Sequence, residues 1–272
     1  MIVIGEKLNA TRKSVERAVA ERDAAAVAAL VEAQDRAGAE VIDVNAGSGG
    51  GDAAKAAGDM IWLVGVAQNA TEKPLSIDSE NPEVLAAGLS AAKGASPWIN
   101  SVSAESRRLE KVLPLSAACG SPLVALCMGD DGIPRDLTAR MKAATKIYEA
   151  AAAAGIAPER LYFDPLVMPL GAEPGAGLAV LECLRAVKAG LPGAKTIMGA
   201  SNVSFGLPRR PLLNRALLVL ALSAGLDAAI LDPTDEALMM EILAAEALLG
   251  RDPHCARFLR AHRKRTKKGE KA

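Results

Sequence analysis

Eight short apolar runs recur along the chain, and an alanine-rich segment with helical spacing follows most of them. The runs are Ile2–Ile4, Val41–Val44, Leu75–Ile77, Trp98–Val102, Leu123–Met128, Leu161–Leu166, Thr196–Met198 and Ala228–Leu231. Each is too short to be a helix and is bounded by turn-forming residues, so each reads as a buried strand. Between them lie stretches such as "SVERAVAERDAAAVAALVEAQDRAGA", "PEVLAAGLSAAKGA", "DLTARMKAATKIYEAAAAAGI" and "RALLVLALSAGL", each read as helical. Several stop at a glycine, as at Gly38, Gly94, Gly120, Gly155 and Gly225, the residue that most easily adopts a left-handed C-cap.

Strands that alternate with helices build parallel βαβ units. Eight such units in a chain of 272 residues match a closed (β/α)8 TIM barrel in count and size. A doubly wound open sheet is the alternative, but its first strand is usually followed by GxGxxG. Here the first strand runs into "IGEKLN". No linker or low-complexity stretch interrupts the body, so residues 1–250 are expected to form one barrel. Residues 251–272 are expected to form a basic, partly disordered tail.

Composition narrows the chemistry. No window holds 18 uninterrupted apolar residues, which argues against a membrane span. The N-terminal "MIVIGEKLNA" lacks the basic region and long apolar segment of a signal peptide, so a cytoplasmic location is expected. Cys119, Cys127, Cys183 and Cys255 form no CxxC pair, and neither a zinc site nor a redox motif is expected. The two histidines, His254 and His262, both lie near the C-terminus. Chemistry in the body therefore falls to carboxylates, amides and hydroxyls. Net charge is zero overall, but Arg257–Ala272 holds eight Lys or Arg against one Glu. A solvated end or a contact with an acidic partner explains that run better than nucleic-acid binding, because no basic face continues it in the body.

In a barrel the C-terminal strand ends converge on one mouth, where active sites sit. Those positions hold Glu6 and Asn9, Asp43 and Asn45 in "DVNAG", Asp78 in "SIDSEN", Asn100 in "INSVS", Asp164 in "FDPL", and Asn202 and Ser204 in "GASNVS". Taken singly, each is more economically a helix cap or turn residue. Asp78, in "DSENPEVL", could simply open a helix. Several carboxylates and carboxamides at one mouth are harder to explain as caps, since crowded aspartates repel unless they face hydrogen-bond donors. Carboxylates accept paired N–H bonds and amides both donate and accept, which suits a flat heterocycle with an amino-pyrimidinone edge. The "GSGGGD" run after the second strand lacks the Lys-Ser/Thr of a phosphate loop and reads as a mobile loop.

With these residues assembled, the chain resembles the methyltetrahydrofolate:corrinoid methyltransferases, within the pterin-binding barrels that include dihydropteroate synthase. The matching stretches are "IGEKLN", "DVNAG", "LSIDS", "INSVSAE", "GIPRDLTAR", "LYFDPLVMP", "GASNVSFGLPRRPLLNR" and "AGLDAAILDPTDEAL". They run in order from the first strand to the last helix, and only the basic tail falls outside them. The resemblance implies that Asp78, Asn100 and Asp164 hold the pterin ring, with Asp43 and Asn45 as a supporting pair. It places Asn202 beside N5 of the folate and Arg210 on the same mouth, although Arg209 is its neighbour. Dihydropteroate synthase expects a Ser-Arg-Lys type element where this chain has Ser201-Asn202-Val203-Ser204, so it matches less well.

The resemblance further implies methyl transfer, in either direction, between N5 of methyltetrahydrofolate and the cobalt of a corrinoid. A neutral amine is a poor leaving group, so N5 must gain positive charge in the transition state. Asn202 is expected to hold N5–H, and Asp78 to relay a proton through water. The chain has no DxHxxG element for cobalamin, so the corrinoid is expected on a separate protein, with no metal bound by this one. A homodimer is also expected. The alternatives are a dihydropteroate synthase-like transferase and a non-catalytic pterin-binding protein.

Overall fold

The computed structural model describes residues 1–94 and 96–269, with side chains described as far as residue 263. Eight strands form the wall: β1 (Ile2–Asn9), β2 (Val41–Asn45), β3 (Leu75–Asp78), β4 (Trp98–Ser103), β5 (Leu123–Leu126), β6 (Leu161–Asp164), β7 (Lys195–Gly199) and β8 (Ala228–Leu231). Every neighbouring pair is parallel, and β8 pairs with β1 through Ile2↔Ala228 to Gly5↔Leu231. That closure rules out the open doubly wound sheet. The helices are α1 (Lys13–Ala20), α2 (Ala24–Ala37), α3 (Ala53–Ala70), α4 (Pro82–Ala91), α5 (Ser106–Cys119), α6 (Leu137–Ala153), α7 (Ala176–Gly190), α8 (Arg210–Ser223), α9 (Glu236–Leu248) and α10 (Ala256–Gly269). No described helix is long and apolar enough to cross a membrane.

Side chains on a strand alternate between its two faces. One face packs outward on the helices: Ile42, Val44, Ile77, Ile99, Ala125 and Phe163 join helix residues in one buried cluster. The other face fills the barrel. Ile4, Val41, Trp98, Val124, Tyr162, Ile197 and Ala228 touch one another there, with the Trp98 and Tyr162 ring centroids 4.4 Å apart. Two residues further along each strand, on the same face, stand Glu6, Asp43, Asn100, Leu126, Asp164, Gly199 and Ile230. On β3 the same step runs from Ser76 to Asp78. An apolar plug thus closes the barrel below, and a polar layer sits directly on it.

Local details depart from the sequence reading where side chains compete with the helix or the ladder. The segment 14–39 is two helices, because Arg22 turns left-handed (φ 55°) and the Asp23 carboxylate accepts from Ala26 N at 3.0 Å to start α2. β5 ends at Leu126, short of the expected Met128. β6 ends at Asp164, short of Leu166, because Pro165 has no N–H for the ladder and Leu166 has φ 64°. The glycine run forms a single turn of 3-10 helix, Gly49–Gly51, and Asp52 then caps α3. Within the span expected as a basic, partly disordered tail, α10 starts on a fixed base: Asp252 accepts from Arg257 N and Phe258 N, and Arg257 pairs with Glu246 at 2.9 Å. Residues 270–272 of that expected tail lie outside the described residues.

The packing of α4 yields a stability prediction. A Cβ on Gly88 would stand 2.6 Å from Ile77 Cγ2 and 2.9 Å from Met60 Cγ. Alanine favours a helix by about 1 kcal/mol over glycine, but overpacking costs about 1–3 kcal/mol. With contacts this short the upper part of that range applies, so Gly88→Ala should lower the urea midpoint, with a net loss of up to about 2 kcal/mol. A raised midpoint would show that α4 can back away from β3.

Candidate active site

The polar layer opens into a cavity of about 290 Å3 at the C-terminal mouth, lined among others by Glu6, Asp43, Asp78, Asn100, Asp164 and Asn202. The caps that might have explained these residues are elsewhere. α4 is capped by Asn81, whose carboxamide oxygen accepts from Glu83 N at 2.8 Å, so Asp78 is free of that task. Asp43 likewise caps nothing. Its Oδ1 accepts from Ser76 Oγ at 2.8 Å and from Asn100 Nδ2 at 3.2 Å. Asp78 accepts from Asn45 Nδ2 at 2.8 Å, and Asn45 is itself fixed by Gly47 N at 2.8 Å. Among the described residues the Asp164 carboxylate accepts one bond, from Leu166 N at 2.8 Å. At the rim Glu6 pairs with Arg12 at 2.8 Å and accepts from Ser201 Oγ at 3.1 Å.

Burial sets the charge state of this layer. Desolvation pushes the Asp43 carboxyl well above the usual range, and the nearby Asp78 charge pushes it further. Asp78 is also raised by burial, against the Asn45 bond that lowers it. Asp164 is raised to about 6, again chiefly by burial. The free site thus holds carboxyl groups short of donors, which a ligand rich in N–H groups would supply.

The last wall is built by the turn after β7. Asn202–Ser204 form a 3-10 turn, and Ser204 is fully buried beneath it, donating to Ser201 O at 3.3 Å. Arg210 braces the same turn from outside, donating to Ser204 Oγ at 3.1 Å and Ser201 O at 2.8 Å. Of the two candidate arginines, Arg210 makes these contacts, while Arg209 is the exposed left-handed N-cap of α8 (φ 54°). Neither Ser204 nor Arg210 lines the central cavity. Both hold the turn that presents Asn202. The Asn202 amide is exposed and has no hydrogen-bond partner among the described residues. β3 and β7 stand four apart in the ring of eight, so Asp78 faces Asn202 across the cavity.

Several residues went unremarked in the sequence. Ser76 could have been found, since it precedes Asp78 by two and shares its inward face. Arg108 gave no such signal. From α5 it donates to Ser101 O at 2.6 Å and to Ser79 O at 2.9 Å, and also to Glu80 O, so it ties together the ends of β3 and β4. Arg12 reaches the mouth from a loop whose course only the closed barrel defines.

A closed parallel barrel with buried, donor-seeking carboxyls at its C-terminal mouth defines a (β/α)8 protein built to take a flat, nitrogen-rich ring. The "Pterin binding enzyme" family model matches residues 5–232, and the chain belongs to that family. The chain is 35% identical over 265 residues to a methylcorrinoid:tetrahydrofolate methyltransferase of Eubacterium limosum, covering 97% of this chain and 96% of the relative. It is 30% identical over 243 residues to a methionine synthase of Mycobacterium tuberculosis, covering 85% of this chain but 20% of that much longer protein. Among solved structures, a dihydropteroate synthase of Xanthomonas albilineans superposes with a TM-score of 0.67 at 24% identity, covering 88% of this chain and 90% of that one. That last likeness is one of fold.

Proposed function

We propose that this protein moves a methyl group from a corrinoid carried by a partner protein to N5 of tetrahydrofolate. The same site serves the reverse transfer by microscopic reversibility. The observation that carries the reading is the ring of acceptors, the buried Asp43 and Asp164 and the half-buried Asp78, interleaved with Asn45 and Asn100. An amino-pyrimidinone edge presents N–H donors in one plane, which is what those carboxyls lack. Charge-assisted bonds of this kind are about twice as strong as neutral ones. The ring's donor edge therefore faces the Asp78, Asn100 and Asp164 side. The opposite edge, with N5 and the substituent at C6, faces β7 and the open mouth.

Asn202 stands on that side with an unengaged amide. Its Oδ1 can accept N5–H and hold the nitrogen lone pair toward the methyl group. As the methyl–N5 bond forms and the methyl–cobalt bond breaks, N5 becomes positive, and the same acceptor stabilises it. The electron pair of the broken bond stays with the cobalt, and the N5 proton leaves to water. The name of the Eubacterium limosum relative supports both the folate and the direction. A separate corrinoid protein, a homodimer and a cytoplasmic location belong to the same reading.

The test is optical. Purified protein, methylcobalamin and tetrahydrofolate are mixed without oxygen, and loss of the methylcobalamin spectrum is followed. The reverse mixture starts from methyltetrahydrofolate and cobalt(I) cobalamin. Enzyme-dependent transfer is expected. A folded protein that binds folate and transfers in neither direction would leave the non-catalytic binding reading standing instead.

A further inference from the structure

The first strand reaches the mouth by an irregular route. Gly5 pairs with Ile42 and Leu8 with Val44, so Glu6 and Lys7 of β1 together oppose Asp43 of β2. Two residues against one is a β-bulge, and it shifts the inward and outward alternation by one position. Without it, Leu8 would share the inward face of Glu6, and Asn9 would point to the helices. Instead Leu8 is fully buried in the outer cluster with Val44, and Glu6 and Asn9 both line the cavity. Inside the bulge, Lys7 N donates to Gln34 Oε1 at 2.9 Å. Gln34 is fully buried on α2, behind the wall. Gly5 makes its approach possible, since a Cβ there would stand 2.4 Å from Gln34 Oε1. Gln34 Nε2 has no partner among the described residues, so the amide is costly to bury. Packing alone favours an apolar side chain of the same volume at this place, but such a side chain would leave Lys7 N without its acceptor.

The bulge governs the β7 side of the site through Glu6 and Asn9. Glu6 accepts from Ser201 Oγ at 3.1 Å, and Ser201 is the residue before Asn202. Asn9 Oδ1 accepts from Thr11 N at 2.9 Å, and Asn9 O from Arg12 N at 3.0 Å. The loop that brings Arg12 to Glu6 is therefore folded on Asn9. We infer that Gln34 is a positioning residue: from behind the barrel wall its carboxamide clamps the β1 bulge, which sets Glu6 against Ser201 and so fixes the turn that presents Asn202. Asp78, Asn100 and Asp164 stand on β3, β4 and β6, away from the clamp. Loss of the clamp should disturb the side of the site that transfers the methyl group and spare the side that holds the ring. That effect on rate rests on the methyl-transfer reading of the site, whereas the clamp itself does not.

Two variants attack the clamp without touching the mouth. Gln34→Met keeps the volume and removes the acceptor, and Gly5→Ala pushes the amide away. Hydrogen exchange followed residue by residue should show the Lys7 amide protected in wild type and exchanging about tenfold faster in both variants, the effect of one lost hydrogen bond. Methyl transfer from methylcobalamin at saturating tetrahydrofolate should fall about three- to thirtyfold, while tetrahydrofolate affinity stays within about threefold of wild type. Glu6→Ala should lower the same rate, and Gln34→Met should add less than about twofold to that loss, because both act through the Glu6–Ser201 contact. A Lys7 amide that exchanges in wild type like that of an open loop would overturn the clamp, and this measurement needs no variant to fold. An unchanged transfer rate in Gln34→Met would overturn the positioning role. So would losses that multiply in the double variant, since Gln34 would then act on the fold alone. If wild type transfers no methyl group, the methyl-transfer reading falls and the rate effect with it, while the Lys7 exchange alone then decides the clamp.

Discussion

Asn202→Ala is expected to lower the rate of methyl transfer at saturating tetrahydrofolate by about 10- to 100-fold, while folate affinity changes by less than about threefold. The split follows from where the amide stands. It makes no contact that holds the turn, which Ser204 and Arg210 secure without it. Its removal therefore spares the mouth's shape. On the proposed reading Asp78, Asn100 and Asp164 hold the ring from the other side, so binding survives. What is lost is an acceptor aimed at a nitrogen that becomes positive only in the transition state, and such a loss appears in kcat with little change in KM. Stopped-flow single turnovers, with folate binding measured separately by fluorescence, distinguish the two effects. If affinity collapsed while the rate of bound enzyme held, Asn202 would be a binding residue and the assignment beside N5 would be wrong.

Asp164→Asn should do the opposite to stability and binding. The Asp164 carboxyl is raised to about 6 by burial, so the folded protein holds its proton more tightly than the unfolded chain does. In the wild type that preference favours folding at low pH, and the benefit is lost as pH rises from about 4 through about 6. Above that range the buried charge is a cost, on the order of 1–3 kcal/mol. Asparagine carries no charge and can still accept from Leu166 N. The ligand-free variant should therefore melt a few degrees higher than wild type at pH 7.5, with the gain vanishing near pH 4. Tetrahydrofolate affinity should fall by about 100-fold or more, because a neutral carboxamide cannot replace a charge-assisted acceptor. Wild-type affinity should itself weaken as pH drops below about 6, since the ligand's donors favour the ionised form. Differential scanning calorimetry from pH 4 to 8, with and without ligand, reads both trends. A variant less stable than wild type at pH 7.5 would mean that the Asp164 charge is already satisfied in the free protein.

The barrel and most of its site are written into local sequence pattern. Apolar runs of strand length, glycine caps and eight repeats are near-neighbour properties, and they fix parallel βαβ units whatever lies beyond them. Asp43, Asn100 and Asp164 were visible as strand endings for the same reason. Each stands two residues past an inward apolar side chain, so the two-residue period of the strand aims it at the mouth. The same period marks Ser76. Where the pattern misled, a competing local bond was responsible: the Asp23 cap that divides α1 from α2, and Pro165, which stops β6.

Only the closed tertiary structure could separate groups that face the cavity from groups buried under its wall. Ser204 and Asn202 are two residues apart in one polar cluster, yet one is fully buried under the turn and the other stands free over the cavity. Taken singly, Asp78 could also be read as the cap of α4, and the structure gives that place to Asn81. Arg108 owes its contacts to strand ends distant in sequence, and no spacing rule reaches that far. By itself the sequence determined the repeating unit, the number of units and the residues that end each strand, because backbone propensity and side-chain alternation act over a few positions. The tertiary structure decided which polar atoms were left without partners, because burial and hydrogen-bond satisfaction depend on everything the closed barrel brings together.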